Sequence, residues 1–282
     1  MHYSGISDEA GESLDLQIKA HKALGWSHIE PRNIDGTCIT DLSDGDFESV
    51  AGRLKDAGQQ IIGFASQLAN WARPIDTDFE IDLAELHRAI PRIQQCGAKY
   101  IRTMSYPNSK ENPLPEPEWR DEVVRRFQEM AKIAADGGIV LVHENCHGWA
   151  SQGPDSQLEF IESVDNPALK LVFDTGNEHK HNTVKYFQAV REHIVHMHIK
   201  SWKYDGDSHK PAFPDEGDEG TRQILTELIA SGYDGYLSIE PHMVAMIHLG
   251  KSADEDPELA YNLYVEFGQR LMRLMEELQS EP

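Results

Sequence analysis

The sequence predicts an α/β chain folded as a (β/α)8, or TIM, barrel, one domain over residues 1–282, and three observations predict it. Eight short apolar runs alternate with segments of helical period, the order that a parallel barrel requires. The helical segments end at glycine, as in Leu24-Gly25-Trp26, Ala57-Gly58, Cys96-Gly97, Gly137-Gly138 and Ser231-Gly232-Tyr233, and an apolar run follows within a few residues. Glycine supplies the left-handed residue that closes a helix, so each unit reads helix, stop, strand. Finally, four of the runs end on an acid or an imidazole. Ile139 to Val142 delivers Glu144, Leu169 to Phe173 delivers Asp174, Ile194 to Met197 delivers His198, and Tyr236 to Ile239 delivers Glu240.

Taken in order, Gly5-Ile6-Ser7 is the expected first strand, and Ser13 is placed to cap a helix carrying Leu14, Ile18 and Leu24. His28-Ile29-Glu30 forms the second strand; Ser43 with Asp46 resembles a capping box ahead of Phe47, Val50 and Leu54. Ile61 to Phe64 is the third strand. Pro91, inside a helical stretch from Leu83 to Gln95, is expected to kink that helix or begin a second one. After Tyr100-Ile101-Arg102, Pro117 opens a helix whose Trp119, Val123, Phe127 and Met130 share one face and belong to the core. The longest irregular stretch, Trp202 to Gly220, follows strand seven and is expected to cover a substrate. Asp256-Pro257 opens a last helix with Leu259, Leu263, Phe267, Leu271, Leu274 and Leu278 along one face.

The bulk numbers exclude several classes. Acidic residues outnumber basic ones 48 to 26, and the formal charge of −22 repels a phosphate backbone, so nucleic acid is not an expected partner. No apolar run reaches the roughly 18 residues of a membrane span, and no basic-then-apolar leader opens the chain, so a cytoplasmic location is expected. Cys38, Cys96 and Cys146 are too few and too scattered for a disulfide framework and are expected to be reduced thiols. A homo-oligomer is compatible with all of this.

All strand C-termini of a parallel barrel open on one face, so Glu144, Asp174, His198 and Glu240 are expected to converge. Buried carboxylates need a partner, and carboxylate oxygen with imidazole nitrogen suits one divalent cation, Mn²⁺, Mg²⁺, Co²⁺, Fe²⁺ or Zn²⁺. The motifs Glu144-Asn145-Cys146-His147-Gly148, Asp174-Thr175-Gly176-Asn177, His196 to Lys200, and Gly232 to Glu240 resemble the xylose isomerase-like superfamily, its sugar phosphate isomerase/epimerase group above all. The resemblance implies a single divalent cation on Glu144, Asp174, His198 and Glu240. It also implies that Glu144 and Glu240 act as the acid/base pair of a sugar isomerase or epimerase, moving a proton beside a carbonyl through an enediolate. The expected partner is a small sugar or keto-sugar.

Two positions depart from the superfamily's ketose 3-epimerases, which carry a histidine where Asn177 stands and an arginine where Tyr204 stands; elsewhere in the superfamily an Asp follows the lysine, and here it is Ser201. Lys200 suits protonation of a leaving hydroxyl, so a keto-sugar or inosose dehydratase is the alternative. An abasic-site endonuclease-like phosphodiesterase and a non-catalytic sugar-binding barrel are the remaining ones. Asn177, Lys200, Glu30, Arg102, His147, Trp71 and Trp202 are the candidate substrate contacts, with Arg32, Asn33, Ser105 and His242 near them. Strand alternation points His196 the same way as His198 and turns His143 away from Glu144. His179, His181, His193, His209 and His248 are expected at the surface.

Overall fold

The computed structural model describes residues 1–177, 182–206, 208–243 and 257–280. Among the described residues, eight parallel strands form the barrel: β1 (His2–Gly5), β2 (His28–Ile29), β3 (Gln60–Ile61 continuing as Gly63–Phe64), β4 (Tyr100–Ser105), β5 (Val140–Gly148), β6 (Leu169–Asp174), β7 (Ile194–Ile199) and β8 (Tyr236–Ile239). The helices that follow them are α1 (Leu14–Leu24), α2 (Asp44–Asp56), α3 (Glu80–Gln95), α4 (Glu116–Asp136), α5 (Pro154–Val164), α6 (Thr183–Val190), α7 (Thr221–Ala230) and α8 (Pro257–Ser280). Strands β3 to β8 pair in sequence, and β8 returns to β1 in the register His2↔Tyr236 to Gly5↔Ile239. Closure runs through β2, which pairs with Gln60–Ile61 and meets β1 at the Ile6↔Glu30 bridge.

Local chemistry accounts for the helix ends. Ser13 Oγ accepts from Leu16 N (3.3 Å), and Gly25 closes α1 at φ +71. Ser43 Oγ accepts from Asp46 N (3.2 Å) and donates to the Asp46 carboxylate (2.6 Å), which makes Ser43 the N-cap of α2 without the return bond of a full capping box. Phe47, Val50 and Leu54 on α2, Val123, Phe127 and Met130 on α4, and Phe267, Leu271, Leu274 and Leu278 on α8 are buried, so the predicted stripes face the sheet. Among the described residues, no helix is long and apolar enough to cross a membrane.

Three expectations need correction. The first strand lies earlier than Gly5-Ile6-Ser7, because pairing with β8 begins at His2; Ser7–Ala10 is a short 3-10 turn. Of the two outcomes expected at Pro91, a second helix does not occur: one helix runs through the proline, with Arg92 and Ile93 buried just beyond. The Trp202 to Gly220 stretch is not irregular throughout. It contains an antiparallel hairpin of Trp202–Asp205 with Ser208–Pro211, with Gly206 opening its turn at φ +60.

Candidate active site

The polar residues of the motifs stitch neighbouring strand ends together. Asn145 Nδ2 donates to the Asp174 carbonyl (3.0 Å) while its Oδ1 accepts from Asp174 N (2.7 Å), locking the end of β5 to that of β6. Thr175 Oγ1 donates to the Lys200 carbonyl (2.6 Å) and accepts from Lys200 N (3.0 Å), which locks β6 to β7. Gly148 sits at φ +102, where a Cβ would lie 2.2 Å from the backbone of Ser105, so only glycine lets β5 approach β4 there.

These locks bring Glu144, Asp174, His198 and Glu240 together, each with a ligand atom within 4.8 Å of the others' and all four buried. Glu144 Oε1 lies 3.3 Å from His198 Nδ1 and accepts from Asn177 Nδ2 (2.9 Å); its Oε2 lies 3.4 Å from Arg102 Nη1. Lys200 Nζ lies 3.2 Å from Asp174 Oδ2 and 3.0 Å from Glu240 Oε2, and donates to Asn177 Oδ1 (2.9 Å). Arg32 Nη1 donates to Glu240 Oε1 (2.7 Å), while its remaining donors hold Asp8 and Glu9.

The donor set fits a divalent cation. Glu144 Oε2 and Asp174 Oδ2 are buried and make no hydrogen bond, being met only by the ion-pair approaches of Arg102 and Lys200, which leaves lone pairs that a cation could take. His198 presents Nδ1 on the Glu144 side and sets Nε2 3.2 Å from Glu30 Oε1, the carboxylate–histidine pairing that fixes which nitrogen faces a metal.

Electrostatics divides the cluster. Burial penalises a charged His198, but the carboxylates of Glu30 and Glu144 outweigh it and push its pKa up to about 10. Burial likewise disfavours the Glu144 anion, yet Arg102 and His198 hold it down to about 2. Asp174 is raised to about 6 by burial, which Lys200 only partly offsets. Glu240 lies well below the usual carboxylate range despite burial, because Lys200, His242 and Arg32 surround it.

A cavity of about 500 Å³ opens over the cluster. Of the predicted contacts, Arg102, Glu144, His147, Asn177, Lys200, Glu240 and Trp71 line it, together with Arg32, Asn33 and His242. Two predicted contacts do not reach it. Glu30 is buried beneath the cluster, held between His198 and His196 (2.8 Å), because both imidazoles of β7 point inward at it. Trp202 instead donates from Nε1 to the Gly176 carbonyl (2.7 Å) and meets His209 edge-on. Ser105 is also buried away from it, donating to the His147 carbonyl. His143 turns away as alternation predicted, against Gln157, Phe127 and Phe160. His209 is exposed and His193 half-buried; His179, His181 and His248 lie outside the described residues. Sequence reasoning missed Asp8 and Glu9, just past β1, and Asn70; their only signal was position after a strand end.

The parallel barrel thus gathers at its C-terminal mouth three carboxylates and an imidazole, a group that could hold a metal ion. The chain belongs to the xylose isomerase-like TIM barrel family, whose model matches residues 18–263. It is 30% identical over 121 residues to an uncharacterized protein of Methanocaldococcus jannaschii, covering 40% of this chain and 41% of that one. It is 23% identical over 200 residues to the inosose dehydratase of Geobacillus thermodenitrificans, covering 60% of this chain and 61% of that one. The chain thus matches less than two thirds of either relative.

Three solved structures share the fold. A xylose isomerase-like protein from Mycobacterium smegmatis in complex with magnesium superposes with a TM-score of 0.71 at 21% identity, covering 98% of this chain and 97% of that one. A probable 3-DHS dehydratase from Bacillus anthracis gives 0.73 at 20%, covering 96% and 99%. The D-psicose 3-epimerase of Clostridium cellulolyticum H10 with D-tagatose gives 0.72 at 14%, covering 99% of both chains.

Proposed function

We propose that this chain is a divalent-metal-dependent isomerase or epimerase of a sugar or sugar derivative, within a single catalytic domain. The observation that carries the proposal is the meeting of Glu144 and Glu240, from β5 and β8, beside Asp174 and His198 under a cavity of about 500 Å³. A cavity of that size suits a single sugar ring or open-chain sugar.

Glu144, Asp174, His198 and Glu240 would hold the cation, which when bound polarises a carbonyl and an adjacent hydroxyl oxygen. Glu144 and Glu240 take and return the proton at the carbon beside that carbonyl. Both start as carboxylates, since their surroundings hold them below the usual carboxylate range, so Glu144 is ready to accept, and Glu240 returns a proton that it draws from the Lys200 ammonium 3.0 Å away. Asn177, bridging Glu144 and Lys200, and Lys200 itself hold the ligand's oxygens.

Lys200 favours a second outcome. Its buried ammonium among Asp174, Glu240 and Asn177 is an acid for a departing β-hydroxyl, so a keto-sugar or inosose dehydratase is the alternative, in keeping with the similarity to an inosose dehydratase. Incubation of Mn²⁺-loaded protein with ketoses and inososes in D2O, followed by proton NMR, tests both. Deuterium beside the carbonyl with an epimerised or isomerised product supports the first, deuterium with loss of water the second, and no exchange from any substrate would sink both.

A further inference from the structure

On one side of the cavity the wall is built differently from the rest. Between β3 and α3 the chain passes through Ala69, Asn70 and Trp71, of which Asn70 and Trp71 line the cavity. Trp71 is 63% exposed, the most exposed of the large hydrophobic side chains described. An indole left in water is a cost that a ligand's C–H face can remove. Asn70 is 7% exposed; its Oδ1 accepts from Ala72 N (2.9 Å), which leaves Nδ2 as a donor with no partner among the described residues.

This wall is held rigid rather than left to adapt. Ala69 and Tyr106 both adopt left-handed backbone, at φ +53 and +51, and Tyr106 N donates to the Ala69 carbonyl (2.9 Å). Neither is glycine, so both conformations cost energy that the surroundings must offset. Asp82, fully buried on α3, does so. Its Oδ1 accepts from Ala69 N (3.1 Å) and from Arg73 (2.6 Å), and its Oδ2 accepts from the Tyr106 hydroxyl (2.7 Å). Strain clamped at a cavity wall, beside an unpartnered amide and an exposed indole, is the signature of a preorganised ligand surface.

The wall carries no charge, and the described cations facing the cavity are already engaged: Arg32 by Asp8, Glu9 and Glu240, Arg102 by Glu144, Lys200 by Asp174 and Glu240. An anionic group seated at the wall would lose its hydration without gaining a counter-ion there. Resting on the proposed enolisation site, we infer that Asn70 and Trp71 read the non-reacting end of a neutral polyhydroxylated ligand, Asn70 Nδ2 donating to a hydroxyl oxygen and Trp71 covering the C–H face. The site therefore takes free keto-sugars or ketocyclitols in preference to their phosphates or acids.

The test uses Mn²⁺-loaded full-length protein and acrylamide quenching, with the Trp71 contribution defined as the difference between wild type and Trp71→Phe. D-Fructose, D-tagatose and 2-keto-myo-inositol are titrated beside D-fructose 6-phosphate and D-tagaturonate. At least one neutral ligand is expected to shield Trp71, its affinity falling about tenfold in Asn70→Ala, with neither charged compound binding more tightly. Calorimetric titration of the same ligands into Trp71→Ala, at an exposed position, reads the affinity should Asn70→Ala fold poorly. Failure of every neutral ligand to shield Trp71, or a charged compound binding more than tenfold tighter, overturns the inference. Deuterium exchange on the same mixtures separates the two layers. Shielding without exchange keeps the wall and sinks the enolisation site, whereas exchange with a KM unmoved by either variant sinks the wall alone.

Discussion

The two halves of the barrel divide the labour at its mouth. Strands β5 to β8 supply the acceptors, Glu144, Asp174, His198 and Glu240, one per strand end. Strands β1 to β4 and their loops supply what surrounds them: Asp8, Glu9 and Arg32 around Glu240, Arg102 against Glu144, Glu30 beneath His198, and the Asn70–Trp71 wall. The difference teaches that the ligating half is repetitive and the bracing half is individual. The candidate ligands, three carboxylates and an imidazole, sit at the same kind of place, whereas each brace answers to its own set of partners, Arg32 to Asp8, Glu9 and Glu240 and Glu30 to His196 and His198.

Replacing residues in the two halves should therefore fail in different ways. Glu240→Gln, in the ligating half, is expected to lower solvent-deuterium exchange by about 10²- to 10⁴-fold, since it removes one of the proton carriers. Its fold should persist, which circular dichroism would check; full exchange in this variant would remove Glu240 from the chemistry.

Arg32→Met, in the bracing half, should act on stability first. It leaves Asp8, Glu9 and Glu240 facing one another without their shared cation, at a cost of about 3 kcal/mol, the low end for a broken buried pair because Arg32 keeps 24% of its side chain exposed. Urea denaturation of metal-free protein reads this, and an unchanged midpoint would mean that water replaces the guanidinium.

Two fully buried histidines sharpen the same contrast through pH. His21, on α1, meets the His28 carbonyl (2.8 Å) and the Tyr264 hydroxyl (2.9 Å), and burial lowers its pKa to about 4. Its folded value is below the ordinary one of about 6.5, so its contribution is complete above pH 6.5 and is lost as pH falls toward 4, on the order of 3 kcal/mol. His198, between two carboxylates, is raised to about 10, so in metal-free protein its contribution is complete below pH 6.5 and is lost as pH rises through 10. Denaturation midpoints of metal-free wild type and His21→Gln between pH 8 and 4 isolate the first effect: the wild type should lose more stability on acidification than the variant, and parallel profiles would contradict it.

The smallest effect belongs to Glu30. Glu30→Gln keeps the shape but weakens the hold on His198 Nε2, and is expected to lower Mn²⁺ affinity about 10- to 100-fold. Calorimetric titration of metal-free protein measures it; unchanged affinity would show that His196 and packing alone orient the ring.

Much of this was legible from residue order. Periodicity and glycine stops are local signals, and they placed the strands after the first, the buried faces of α2, α4 and α8, and the caps at Ser13 and Ser43. Alternation along a strand decided that His143 turns away while His196 joins His198. Because a parallel barrel gathers its strand ends on one face, the grouping of Glu144, Asp174, His198 and Glu240 was also written in their order. Only the tertiary structure decided which atoms those groups face. The grip of Arg32 on Glu240, the burial of Glu30 below the cavity, the turning of Trp202 onto Gly176 and the clamp of Asp82 on Ala69 and Tyr106 all join different elements. The physical reason is that chain pattern fixes a side chain's direction from its own strand or helix, while its partner is set by which other side chains the closed barrel brings within hydrogen-bond reach.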